Sequence, residues 1–127
     1  FLPLARLPGV RLISVQKEHG LAELSRLAEP SAIELPGADF DAGPDAFVDS
    51  AAIMAGLDLV ITSDTAVAHL AGALARPVWV ALQHVPDWRW MLQPTSDSPW
   101  YPTMRLIRQN VAGKWDSVIA EVARSLR

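Results

Sequence analysis

The chain has 127 residues, half of them hydrophobic and a fifth charged, enough apolar material for one ordinary domain with a buried core. A net charge of −3 excludes a general nucleic-acid or anionic-membrane surface, so any phosphate site must be local, made by a few groups. The lack of cysteine excludes disulfides and thiolate metal sites and fits a reducing cytoplasm.

No stretch approaches the roughly 18 apolar residues of a membrane span. The opening Phe1-Leu2-Pro3-Leu4-Ala5-Arg6 has no basic n-region or cleavage site, so no signal peptide is expected. The missing initiator Met points to a piece of a longer chain, with 1–127 expected to form a single Rossmann-like domain. Leu2 to Leu7 reads as a short helix closed by Pro8-Gly9, and Val10 to Gln16 as a β-rich run of strand length. Leu21, Leu24, Leu27 and Ala28 recur at helical spacing until Pro30. Ala32 to Leu35 is a weak second strand ended by Pro36-Gly37, and Ala38 to Pro44 is an acidic loop. Asp45 to Ala55 places Phe47, Val48, Ala51, Met54 and Ala55 on one helical face.

Leu57 to Thr62 is the best strand of the chain and runs straight into Ser63-Asp64-Thr65 and a small-residue helix through Leu74. Pro77 to Leu82 is the next strand, with proline at its first residue, where no ladder donor is lost. Gln83 to Pro102 is a long segment without a sustained period. Met104 to Arg108 is a last strand, and Trp115, Val118, Ile119, Val122 and Leu126 form the stripe of a closing helix. Strands alternating with helices of about ten residues predict a doubly wound α/β fold with a mainly parallel sheet. Such sheets bind ligands beyond the carboxyl ends of their strands.

The turn at Asp64 is therefore the place to look. Val67, Leu70, Ala71 and Leu74 make an i, i+3, i+4, i+7 stripe for the sheet, leaving Thr65, His69, Gly72 and Ala73 on the other face. Side chains tilt toward a helix N-terminus, so His69 is expected to lean back toward that end. Unpaired amides and about half a positive charge make the helix start a seat for a diphosphate. The plainer alternative has Asp64 capping those same amides and His69 solvated on an outer face.

Asp64-Thr65-Ala66-Val67-Ala68-His69 resembles the Asp-Thr-x-x-x-His signature of glycosyltransferase family 9, the heptosyltransferase type. Gly9 to Lys17, Asp87-Trp88-Arg89-Trp90 and Ser98 to Arg105 are similar to a subgroup at the C-terminus of bacterial tetratricopeptide-repeat proteins. Together these pieces cover nearly the whole chain. The resemblance implies the C-terminal lobe of a GT-B fold, which binds a nucleotide-diphosphate sugar, with the catalytic base on an absent N-terminal lobe and the acceptor unspecified. It implies that Asp64, Thr65, Ala66 and His69 hold the donor's diphosphate and sugar. Lys17 is implied to stabilise the departing diphosphate, as a flexible point charge can; the plainer reading is an exposed loop lysine. Metal-independent transfer without a cofactor is implied too. No Gly-x-Gly-x-x-Gly supports a dinucleotide site.

Trp79, Trp88, Trp90 and Trp100 sit within a short span that includes the long loop, with Tyr101 beside the last. Either they stack on sugar or base, with Arg89 on a phosphate or carboxylate, or they form a satellite core that pins the loop. His84 borders the expected cleft or is a surface histidine, and His19 has the same two readings. The expected function is donor binding for glycosyl transfer in the cytoplasm. The rivals are a non-catalytic scaffold beside tetratricopeptide repeats and a sugar-nucleotide epimerase.

Overall fold

Short elements separated by proline, glycine and tight turns make up the first fifty residues, whereas the longer apolar runs fall in the rest. The computed structural model describes residues 1–18, 20–27, 32–93 and 95–127. The chain divides into two compact units, Phe1–Ser50 with Arg127, and Ala51–Leu126.

In the first unit, α1 (Leu2–Ala5) carries Pro3 in its first turn, where a missing N–H leaves no bond unmade. β1 (Leu12–Ile13) pairs in parallel with β2 (Ile33–Glu34), Leu12 opposite Ile33 and Ile13 opposite Glu34. The strand expected over Val10–Gln16 shrinks to two residues, because only the stretch facing the short β2 finds ladder partners; Ser14 N–H still reaches the Glu34 carbonyl at 2.9 Å. α2 (Leu21–Leu24) is also shorter than its apolar spacing predicts. Ala28 and Pro30, the expected end of that helix, lie outside the described residues, as does His19.

α3 (Val48–Ala55) begins three residues later than expected, because Phe47 sits at a φ of 69° that no α-helix accommodates. Its start is set by Asp41, whose carboxylate accepts from the Asp49 N–H at 2.9 Å, the Ser50 N–H at 3.4 Å and the Ser50 hydroxyl. Asp49 answers by accepting from the Asp41 N–H at 2.8 Å. A residue seven positions upstream thus satisfies the orphan amides that an adjacent N-cap normally takes. The predicted face is corrected accordingly: Phe47 and Val48 are exposed, and Ser50 and Met54, four apart, are the buried positions.

The second unit is a three-stranded parallel sheet of order β3-β4-β5, from β3 (Val60–Ser63), β4 (Val78–Leu82) and β5 (Met104–Arg108). Val60 faces Val78, and Val78 faces Met104, so the carboxyl ends Ser63, Leu82 and Arg108 lie along one edge. β4 is central, with Val78, Val80, Ala81 and Leu82 all buried, the continuous apolar run expected of a parallel strand covered on both faces. α4 (Ala66–Ala73) packs against β3 and β4, and α5 (Asp116–Ser125) buries Val118 and Val122 against β5, as its stripe predicts. Both units have helices and parallel strands, a Rossmann-like α/β arrangement. Among the described residues, no helix is long and apolar enough to cross a membrane.

Candidate functional site

β3 ends at Ser63, and the chain turns through Asp64 into α4 with Thr65 as N-cap in extended conformation (φ −143°, ψ 171°). Thr65 makes no side-chain cap hydrogen bond, and among the described residues no side chain caps this helix. Ser63, Asp64, Thr65 and Ala66 are all exposed. The alternative in which Asp64 occupies the α4 amides is therefore corrected. Thr62 Oγ1 donates to the Ser63 carbonyl at 3.2 Å and lies 3.2 Å from Thr65 Oγ1, which leaves the Thr65 hydroxyl as the donor of that second contact. The result is a small polar mouth at the carboxyl end of β3, with bare first-turn amides at its base. Its partial positive charge favours an anion.

His69, one turn into α4, is half-buried rather than solvated. Its ring stacks on Trp90 at 5.2 Å with 25° between planes, and its Nδ1 lies 3.2 Å from the Tyr101 hydroxyl. Tyr101 also meets the His69 ring edge-on at 5.8 Å. Gly72, three residues on, makes room for the tyrosine: a Cβ there would fall 2.5 Å from Tyr101 Cγ. This rotates α4 away from the expected orientation. The buried positions are Ala68, Ala71 and Gly72, whereas Leu74 is exposed and Val67 and Leu70 are only half-buried. Small residues let the loop aromatics approach the helix closely, so side-chain size overrides the larger apolar stripe.

The long loop splits the aromatic readings. Trp90, fully buried at the end of a 3-10 turn over Trp88–Trp90, is core. Trp88 is 69% exposed, with the Arg89 guanidinium 5.0 Å from its ring, and that guanidinium pairs with Asp87 at 2.6 Å. The Arg89 backbone N–H and then its guanidinium hold the Asp87 carboxyl below its ordinary range. Trp100 pins the loop by donating its indole N–H to the Arg89 carbonyl at 2.7 Å. Trp79 lies under the Arg105 guanidinium, 5.3 Å from its ring. Arg108, at the end of β5, donates to the Trp90 carbonyl at 3.1 Å, and burial lowers its pKa. Trp90 and Tyr101 lay within the pieces that carry the resemblance but were given no site role there, and Arg108 had no signal beyond a strand end.

Lys17 belongs to the first unit, where its ammonium donates to the Asp41 carbonyl. One Asp-x-Asp pair, Asp39-Phe40-Asp41, has the spacing of a divalent-cation site and stands against the metal-free expectation. The Asp41 carboxylate, however, is buried and already engaged by Ser50 and Asp49; the Ser50 hydroxyl first, then those amides and Lys17, hold its pKa down. Among the described residues, no three His, Cys, Asp or Glu side chains converge on a cation position.

The family model of glycosyltransferase family 9 (heptosyltransferase) matches residues 8–83. Protein FlbA of Caulobacter vibrioides is 31% identical over 128 residues, which is 98% of this chain and 20% of FlbA. The chain thus spans about a fifth of the length of that relative. No solved structure matches it.

Proposed function

Because this chain belongs to glycosyltransferase family 9, we propose that it is the donor-binding lobe of a GT-B glycosyltransferase and seats a nucleotide-diphosphate sugar at the start of α4. The observation that carries this reading is the uncapped, exposed start of α4 at the carboxyl end of β3. The Ala66 and Val67 amides would donate to the diphosphate, and the Thr65 hydroxyl would turn from Thr62 to join them. His69, held by Trp90 and Tyr101, would present Nε2 from a ring that cannot swing away. Asp64 would meet a sugar hydroxyl.

In the transfer, the bond from the anomeric carbon to the diphosphate breaks and one from the acceptor oxygen forms. The acceptor's proton passes to a base outside this lobe. Charge grows on the leaving diphosphate, and preorganised amides stabilise it without reorganisation. Lys17, in the first unit, keeps as a proposal the leaving-group role that the resemblance implies, with ammonium donors beyond the one given to Asp41. These groups supply the stabilisation that a metal gives elsewhere, so the transfer is proposed to be metal-independent. We place the chain in the subgroup joined to tetratricopeptide repeats on the strength of the motif pieces named above, and in the cytoplasm on its lack of cysteine.

A second reading, a non-catalytic scaffold derived from such a lobe, is favoured by one observation: Lys17 already has a structural partner in Asp41. Thermal shift against ADP, UDP, GDP, CMP and their sugar conjugates separates the two. A ligand at a hundred times its Kd adds about 2.7 kcal/mol of stability. Thr65→Val should weaken the response while leaving the unliganded melt unchanged, and a chelator should leave it intact. No shift with any nucleotide would remove the donor seat and leave the scaffold.

A further inference from the structure

The loops that follow β4 and β5 flank an open pocket of about 350 Å³ whose lining includes Gln83, His84, Val85, Gln109, Gly113 and Trp115, all exposed except Gln109. It lies beyond the carboxyl ends of two adjacent parallel strands, the edge where open α/β sheets take their ligands. Its wall is tied together from inside. Gln109 is 3% exposed, and its Oε1 accepts from the His84 N–H at 3.3 Å and the Gly113 N–H at 3.0 Å, so one buried amide joins both loops.

The same residue fixes the imidazole. His84 Nδ1 lies 3.1 Å from the Gln109 carbonyl oxygen. A carbonyl only accepts, so Nδ1 carries the proton, and Nε2 of the neutral ring is left as an acceptor. Trp115, the residue that precedes α5, is 40% exposed and belongs to the lining. None of the lining residues is Lys, Arg, Asp or Glu, so a phosphate would find no fixed positive charge there.

These features select a ligand class. The volume is near the lower end of the roughly 300–1,000 Å³ typical of ligand pockets, which suits one ring rather than a whole nucleotide sugar. An indole takes apolar C–H faces, and a fixed imidazole acceptor takes a hydroxyl. We propose that this pocket is a subsite for an uncharged sugar ring, lying on the Trp115 indole with a hydroxyl donating to His84 Nε2. The choice of sugar rests on family membership; the pocket itself does not depend on the diphosphate seat at α4. The ring can belong to the donor or to an acceptor glycan, and the chemistry is shared.

Amide and indole NMR spectra of the whole chain test it, with methyl glucoside, methyl N-acetylglucosaminide, ADP, UDP and their glucose conjugates as probes. A methyl glycoside that saturably moves the Trp115 indole and Gly113 amide signals in the presence of ADP or UDP assigns the subsite to an acceptor. Movement by a sugar conjugate, where the bare nucleotide gives none, assigns it to the donor sugar. Either supports the subsite. His84→Ala should then weaken binding roughly five-fold, the loss of one neutral hydrogen bond. Trp115→Ala should weaken it up to about ten-fold. Silence at Trp115 and Gly113 with every sugar, or unchanged affinity in both variants, overturns the proposal. The Thr65 and Ala66 amides report the diphosphate seat separately, so either site can fail alone.

Discussion

Gly72→Ala is the sharpest test of how α4 is held. In a helix interior the change normally stabilises by about 1 kcal/mol. Here the new Cβ would lie 2.5, 2.7 and 2.8 Å from Tyr101 Cγ, Cδ1 and Cδ2, distances at which the ring must move. The ring is not free to do so, because its hydroxyl is bound to His69 Nδ1 at 3.2 Å. Overpacking of this kind costs about 1–3 kcal/mol, so the clash wins and the net loss is about 1 kcal/mol. For a chain of this size that lowers Tm by about 3–6 °C. In a Tyr101→Ala background the obstacle is gone, and the same substitution should raise Tm, a reversal worth about 2 kcal/mol in a double-mutant cycle. Thermal and urea unfolding of the four proteins read this directly. Equal effects in both backgrounds, or a stabilised single variant, would refute the packing of Tyr101 on Gly72. Nucleotide affinity measured on the same proteins shows whether His69 needs its tyrosine partner.

Ala75→Gly should act in the opposite sense. α4 ends in a Schellman pair, Ala75 N–H to Gly72 O and Arg76 N–H to Ala71 O, both 3.0 Å, with Ala75 at a φ of 52° where glycine is the usual residue. Relief of about 1–2 kcal/mol of left-handed strain exceeds the roughly 0.5–1 kcal/mol of added chain entropy, so Tm should rise; a fall would deny the strain. Asp41 governs acid behaviour. Its pKa is depressed in the folded chain, chiefly by the Ser50 hydroxyl, so its contribution is present above the unfolded value of about 3.9 and is lost as pH falls through the lower folded value. Asp41→Asn should flatten the fall in Tm below about pH 4, and an unchanged acid slope would show that the carboxylate is not what holds α3.

Much of the second unit was legible because burial on both faces writes itself into composition. Val78 to Leu82 can be little other than a central parallel strand, and Val118 and Val122 fall on the stripe that the period of α5 predicts. The first unit was less legible, since the length of β1 is set by what β2 offers as a partner and not by how apolar Val10 to Gln16 is. The α4 start could be placed from the Asp-Thr-x-x-x-His segment, but the direction its helix faces could not. Periodicity weights a stripe by the size of its residues, and α4 buries its smallest ones. What decides this is a tyrosine 32 positions from His69, in a loop with no period to read. One clue was present. Glycine inside a helix is about 1 kcal/mol worse than alanine, so a helix keeps it where something needs the space. At Gly72 that something is the ring that holds His69 beside the uncapped turn, which makes the helix's weakest residue part of the proposed seat's support.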